Sequence, residues 1–190
     1  MNAPAVRLAD YRDESEIYSL LMELRSTGSV AQMLPMSPGK VMAQIECGTR
    51  PNPKTRTLIQ DDRRGLIGVI GEPWERLSAS IGLFFNEPWY SDVPTLTQLW
   101  LYVRQESRGQ GLDRLLFDWH IGWAYKEMGR RIAEAARERG EDPQPFFLET
   151  THISGDRVDL KDKLWVRYGK KYGIQRIGSV FIVGPFNDGR

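Results

Sequence analysis

The sequence predicts a single α/β domain, a mixed central β-sheet flanked by helices, and three observations carry that prediction. Short apolar or alternating runs of the strand kind are interleaved with segments whose apolar residues recur at i, i+3, i+4 and i+7. Glycine- and proline-bearing turns separate the two kinds of segment. The 190 residues, 41% hydrophobic and 11% aromatic, suffice for one sizeable core, and neither repeat nor linker divides residues 1–190.

Val6-Arg7-Leu8 alternates and reads as an opening strand. Asp13, with Glu16 three positions on, then has the pattern of a capping box at the start of a helix. That helix carries Ile17, Leu20, Leu21 and Leu24 on one apolar stripe. Ser37-Pro38 predicts an N-cap followed by proline at the first helical position, with Val41, Met42 and Ile45 on the buried face and an end near Gly48. Residues 57–59 and Leu66 to Ile70 read as strands around a turn at 61–65, and Ser78 to Phe85 as another. Residues 86–92 form a loop rich in aromatics. Thr97 to Val103 is a strong strand. A long helix follows, with Leu112, Leu115, Leu116, Trp119 and Trp123 on one stripe, a break expected near Gly129 and an end at residues 142–145. Phe146 to Thr150 is a strand, Val158 to about Tyr168 a helix, and Ser179 to Val183 a closing strand.

Charge and composition exclude several classes of function. The 26 basic and 25 acidic residues leave a formal charge of +1, whereas a protein devoted to the phosphate backbone carries a clear basic excess. Nucleic acid is thus not the expected partner. Cys47 is the single cysteine, so no intramolecular disulfide forms, and with two histidines no metal cluster is expected. Cys47 reads as a buried small hydrophobe and His120 as structural. The start of the chain lacks the apolar core of a signal peptide, and no run reaches the ~18 apolar residues of a membrane span, so a soluble cytoplasmic protein is expected.

Between the strand ending at Val103 and the long helix lies the turn Ser107-Arg108-Gly109-Gln110-Gly111. Glycine lets a backbone approach a ligand closely, and the first N–H groups of a helix have no intrahelical partners and lie at the positive end of its dipole. Arg108 adds a charge that can pair with phosphate. Neither of two better-known phosphate loops fits. A P-loop needs Lys-Ser/Thr after its second glycine, and the dinucleotide fingerprint needs a third glycine where Arg114 stands.

The run from Leu99 to Leu116, LWLYVRQESRGQGLDRLL, resembles the coenzyme A motif of the GNAT superfamily of acetyl-CoA-dependent N-acetyltransferases. There a central strand ends in a valine-like residue, and Arg/Gln-x-x-Gly-x-Gly/Ala opens the next helix; Arg108 fills the first position and Gly111 the fourth. The opening strand and amphipathic helix, and the tyrosine-bearing helix before Gly173, are similar to the family's start and end. The resemblance implies a GNAT-like fold, acetyl-CoA as cosubstrate and an amine-bearing acceptor. It gives the backbone of Leu101, Tyr102 and Val103 to the pantetheine arm. The amides of Arg108, Gly109, Gln110, Gly111, Leu112 and Asp113 go to the pyrophosphate. The sequence departs at Asp113, where the family has Gly or Ala, and a carboxylate there repels a pyrophosphate.

Acyl transfer to an amine needs a base for the amine's proton, a donor for the oxyanion and an acid for the thiolate. The resemblance implies a strand amide for the oxyanion and a tyrosine of the last helix for the sulfur, here Tyr168, with Tyr172 as the alternative. Some relatives place a glutamate on the central strand, where this chain offers only Thr97 and Gln98 as polar residues. Glu149 and His152, on or just past the later strand, are the candidate bases. Glu87, Asp92, Trp89 and Tyr90 are candidates for reading a cationic acceptor. The acceptor class stays open among small molecule, peptide and protein lysine, and the oligomeric state is open, a homodimer included. Two other readings compete: a binding module of the same fold without catalysis, and a transferase acting on nucleic acid.

Overall fold

The computed structural model describes residues 4–27, 36–50, 65–86, 95–142 and 147–150, together with the helical residues Lys163, Val166 and Arg167. Among the described residues a five-stranded sheet runs in the order β1 (Arg7–Leu8), β2 (Leu66–Ile70), β3 (Ala79–Asn86), β4 (Thr95–Val103) and β5 (Phe147–Thr150). Neighbours pair antiparallel from β1 to β4, and β4 pairs parallel with β5. A parallel pair needs a long crossover. The helical stretch α3 (Leu112–Trp119), a π-helical segment (His120–Ala124) and α4 (Tyr125–Glu138) supply it. The mixed α/β architecture expected from the sequence is the one observed.

Alternation along the strands divides the core in two. Ile67 and Val69 of β2 pack with Ile17 and Leu20 of α1 (Glu14–Thr27) and Ile45 of α2 (Pro38–Thr49). Leu66 and Ile70 pack on the other face with Leu112, Leu116, Ala124 and Met128. At Gly82 of β3 the Trp100 indole lies so close that a Cβ would sit 2.4 Å from its ring. Cys47 is half-buried against the α1–α2 side of the core.

Three details differ from the sequence expectation. The first helix is capped by Asp10, not Asp13. Asp10 accepts the Arg12 N–H at 2.9 Å, and Asp13, at the third position of a 3-10 turn (Tyr11–Asp13), accepts the Asp10 N–H at 2.9 Å. Asp13 is buried and held by both terminal nitrogens of Arg7, at 2.8 and 2.7 Å, while Glu16 is used elsewhere. The long helix does not break at Gly129. Its irregularity is the π-helical segment, whose extra residue rotates the buried face. Trp123 is therefore 39% exposed while Ile121, Ala124 and Met128 turn inward. The helix ends before residues 142–145: Gly140 N–H bonds Arg137 O at 3.0 Å and Glu141 N–H bonds Ala136 O at 2.9 Å, the Schellman pattern. Ser37 and Pro38 open α2 as expected, although the Ser37 side chain makes no capping bond. The strands expected at 57–59 and 179–183, the loop at 87–92 and most of the helix at 158–168 lie outside the described residues.

Candidate active site

The candidate site is built on β4. This strand pairs with β3 along its length, but the register shifts between Gly82, opposite Trp100, and Leu83, opposite Gln98. Leu99 is left without a cross-strand partner on β3, a bulge. It is 48% exposed, between Gln98 at 4% and Trp100 at 8%. A half-exposed leucine inside a central strand marks an opening in the sheet's cover.

Past the bulge, alternation decides which way each backbone group points. Ala9 N–H bonds Ile67 O at 2.8 Å, so Ile67 and Val69 face β1. Gly68 and Ile70 then face β3, Ala79 and Ile81 face β2, and Ser80 and Gly82 face β4. Their partners Tyr102 and Trp100 are committed inward, and Leu101 and Val103 turn N–H and C=O to the opposite edge. The bond from Arg104 N–H to Ser78 O, 2.9 Å, obeys the same alternation. On that edge β5 is described opposite Thr95 to Gln98. Among the described residues, no strand pairs with the edge at Leu101 and Val103.

The chain then passes a second 3-10 turn (Gln105–Ser107) into the glycines. Gly109 and Gly111 have φ of +81° and +73°, left-handed conformations that glycine adopts without strain. A Cβ at either would meet nothing within 4 Å, so the turn is open on its outer side. Leu112 is buried and anchors the start of α3, with Asp113 half-buried beside it and Arg108 and Gln110 exposed. The Arg108 Nε donates to Val103 O at 3.3 Å, and its guanidinium lies 5.6 Å from the Tyr102 ring centroid.

Arg104, one residue past β4, fixes the approach to this turn. It is buried, its Nε donates to Leu77 O at 2.8 Å, and its terminal nitrogens reach Glu16 at 2.8 Å and Glu23 at 3.0 Å on α1. Glu23 also accepts from Tyr102 Oη at 3.0 Å and, in a long bond of 3.3 Å, from the Gln105 N–H. Burial pushes the Glu23 carboxyl up, but the Gln105 N–H, the Tyr102 hydroxyl and the Arg104 charge outweigh it and hold it below its ordinary value. Burial raises the Tyr102 phenol, and Glu23 adds to the rise. The sequence reading missed this network. Its trace was legible in two glutamates seven residues apart on one helix face and an arginine directly after the strand.

The nine residues expected to hold the cofactor fall in two runs, Leu101 to Val103 at the end of β4 and Arg108 to Asp113 in the turn and the start of α3, with the backbone of Tyr102 directed to β3. Glu149 stands in β5 in register with Thr97. Tyr168, Tyr172 and His152, and the loop residues Glu87, Trp89, Tyr90 and Asp92, lie outside the described residues. His120 is fully buried on the α3–α4 side, and burial holds its pKa down to about 3, so it is neutral at physiological pH. Among the described residues no three His, Cys, Asp or Glu side chains gather as a metal site, and no helix is long and apolar enough to cross a membrane.

Solved structures share this architecture. A possible acetyltransferase from Clostridium difficile 630 matches at a TM-score of 0.54 and 13% identity, covering 98% of this chain and 100% of that one. The fold is that of the GNAT acetyltransferases. An aminoglycoside acetyltransferase from an uncultured soil metagenomic sample, in complex with sisomicin, matches at 0.53 and 10% identity over 95% of each chain. AAC(6')-Iy, in complex with the bisubstrate analogue CoA-S-monomethyl-acetylneamine, matches at 0.53 and 10% identity over 97% of this chain and 99% of that one. No family model matches the chain, and no curated protein matches it in sequence. At these identities the likeness is one of GNAT fold.

Proposed function

We propose that the protein, as a single domain over residues 1–190, transfers an acetyl group from acetyl-CoA to a primary amine. One observation carries this reading: along β4 an open glycine turn, two outward-facing backbone units and a bulge follow one another in a single track. From Val103 back to Leu99 the strand rises roughly 13 Å at about 3.3 Å per residue, a distance suited to an extended pantetheine arm.

The residues present fit the cofactor. Gly109 to Asp113 offer backbone N–H groups to a pyrophosphate, with open space at Gly109 and Gly111, while the Arg108 N–H is bonded to Gln105 O at 3.3 Å; Leu101 and Val103 offer donors and acceptors to the amides of the arm. When bound, the cofactor supplies an activated acyl thioester. Leu99, outside the β3 ladder, offers its N–H to the carbonyl oxygen under attack. Glu149, in register with Thr97, takes the amine's proton, with His152 as the other candidate. Tyr168 protonates the departing sulfur. Small-molecule amines, peptides and protein lysines are the acceptor classes to screen, and the aminoglycoside seen in a structure of this fold belongs in the same panel. A cytoplasmic setting accords with the absence of a membrane-spanning helix among the described residues.

Calorimetric titration with acetyl-CoA tests the reading, with wild type and Gly111→Asp side by side. Wild type binds in the micromolar range. The variant, with a carboxylate in the left-handed turn where the pyrophosphate sits, gives no binding heat. Absence of binding to wild type refutes the reading, and equal binding to both proteins removes the turn from the site.

A further inference from the structure

The hairpin between β2 and β3 turns at Glu72-Pro73-Trp74-Glu75, where the Glu75 N–H bonds Glu72 O at 3.2 Å. Proline at the second position and a φ of +67° at the third mark a type II turn, whose third position favours glycine. Trp74 stands there, and among the described residues no other non-glycine residue has a positive φ. The strain is not offset by burial, since the indole is 71% exposed and belongs to neither half of the core. It meets Tyr11, itself 59% exposed in the 3-10 turn before α1, edge to face with 6.1 Å between ring centroids. Two large aromatic rings thus stand together at the surface. A bulky residue kept at a glycine position outside the core points to recognition rather than to folding.

The charges around the pair select what it recognises. The neighbouring cations are Arg7, bonded to Gly71 O at 2.7 Å, Arg12, next to Tyr11, and Arg76, just past Trp74. Each is already matched: Arg7 with Asp13 at 2.7 Å, Arg12 with Asp10 at 2.6 Å and Arg76 with Glu106 at 2.7 Å. The carboxylates on either side of Trp74, Glu72 and Glu75, are exposed and make no ion pair among the described residues. Arg7 feels Glu72 only at a distance. The surface is therefore aromatic with surplus negative charge, which attracts a cation and repels a phosphate. The Arg76–Glu106 pair also ties this hairpin to the 3-10 turn that precedes the glycines. A nucleotide base on Trp74 is thus the rival occupant, and the surplus carboxylates oppose it.

We propose that Tyr11 and Trp74 dock an arginine-bearing segment of a partner protein, its guanidinium lying on the exposed indole and donating N–H groups to Glu72 or Glu75. Arginine suits the surface better than lysine, because its planar, weakly hydrated guanidinium stacks on an aromatic face while its edge donates to a carboxylate. The surface uses none of the residues assigned to acetyl transfer and does not depend on that reading.

The test titrates the full chain with tetra-arginine, N-acetylated and C-amidated so that it has no primary amine and cannot serve as an acetyl acceptor. Calorimetry shows binding to wild type that weakens with added salt. Trp74→Gly puts glycine where the turn favours it. Its urea midpoint is unchanged or higher, and its affinity for the peptide falls at least about fivefold. Glu72→Gln combined with Glu75→Gln weakens peptide binding at least about threefold and flattens the salt dependence. Trp74→Gly keeps the acetyl-CoA affinity of wild type within about twofold, as a substitution at a separate site should. No binding of the peptide to wild type, or equal binding by Trp74→Gly, overturns the proposal. A lowered urea midpoint in Trp74→Gly returns the indole to packing on Tyr11 and overturns it as well. Acetyl-CoA affinity lost with the indole would make Trp74 a platform for the cofactor's base, which is the rival occupant.

Discussion

Replacing His120 by leucine tests the burial of the π-helical segment through the pH dependence of stability. The imidazole is fully buried, and burial alone lowers its pKa from 6.5 to about 3. The native state therefore keeps it neutral while the unfolded chain takes up a proton below about 6.5. Over that window the unfolded state binds more protons, so this histidine's contribution is fully present above about pH 6.5 and is lost as pH falls towards 3. At pH 5 the unfolded imidazole is protonated in a ratio of about thirty to one, which stabilises the unfolded chain by about 2 kcal/mol. Any folded pKa below about 4 gives the same figure, so the magnitude rests on burial and not on the exact native value. Urea unfolding at pH 7.5 and at pH 5 measures it. Wild type loses about 2 kcal/mol more than His120→Leu between the two conditions, roughly 1 M in midpoint at an m-value of about 2 kcal/mol/M. Carboxylates titrate alike in both proteins and cancel in the difference. Equal losses would mean that the native state protonates His120 as readily as the unfolded chain does.

Two further outcomes are expected. Arg104→Met leaves Glu16 and Glu23 facing each other without their cation, and because both are partly exposed (29% and 23% of the side chain) the loss is about 2–4 kcal/mol, below the full figure for a buried pair. Urea midpoints check it, and a loss under about 1 kcal/mol would reduce the network to a surface ion pair. Tyr168→Phe lowers turnover at least about tenfold with little change in acetyl-CoA affinity, as removal of a general acid should. Single-turnover kinetics decide it, and unchanged turnover takes Tyr168 out of the mechanism.

What the sequence made legible divides by the range of the interaction. The Ile17 to Leu24 stripe, the Ser37-Pro38 start and the Leu66–Ile70 strand are written in local periodicity and cap chemistry, and the structure repeats them. Glycines between a strand and a helix marked the turn for the same reason. The first cap was misplaced because Asp13 satisfies a capping pattern from two positions, and its bond to Arg7 in the preceding strand selects one of them. The helix irregularity was placed at Gly129 because glycine is the residue that weakens a helix, whereas the π-helical segment is set by how Ile121, Ala124 and Met128 meet the sheet. The Leu99 bulge has no local signature at all. It exists in the pairing of β4 with β3, and so could be seen only once the strands were paired.

The geometry of Arg108 bears on how a cofactor would enter. Its Nε is bonded to Val103 O, one of the outward groups that the pantetheine arm would need. A carbonyl has two lone pairs, but a guanidinium lying on the strand edge occupies the space the arm must take. Arg108 would therefore have to leave Val103 for an arm to lie along this edge. The move would give up the contact with the Tyr102 ring and a bond that, at 3.3 Å, is long, from a residue that is exposed. A phosphate at the turn would reward it with a charge-assisted bond of roughly twice the strength. One motion would thus clear the strand edge and bring the guanidinium charge to the phosphate.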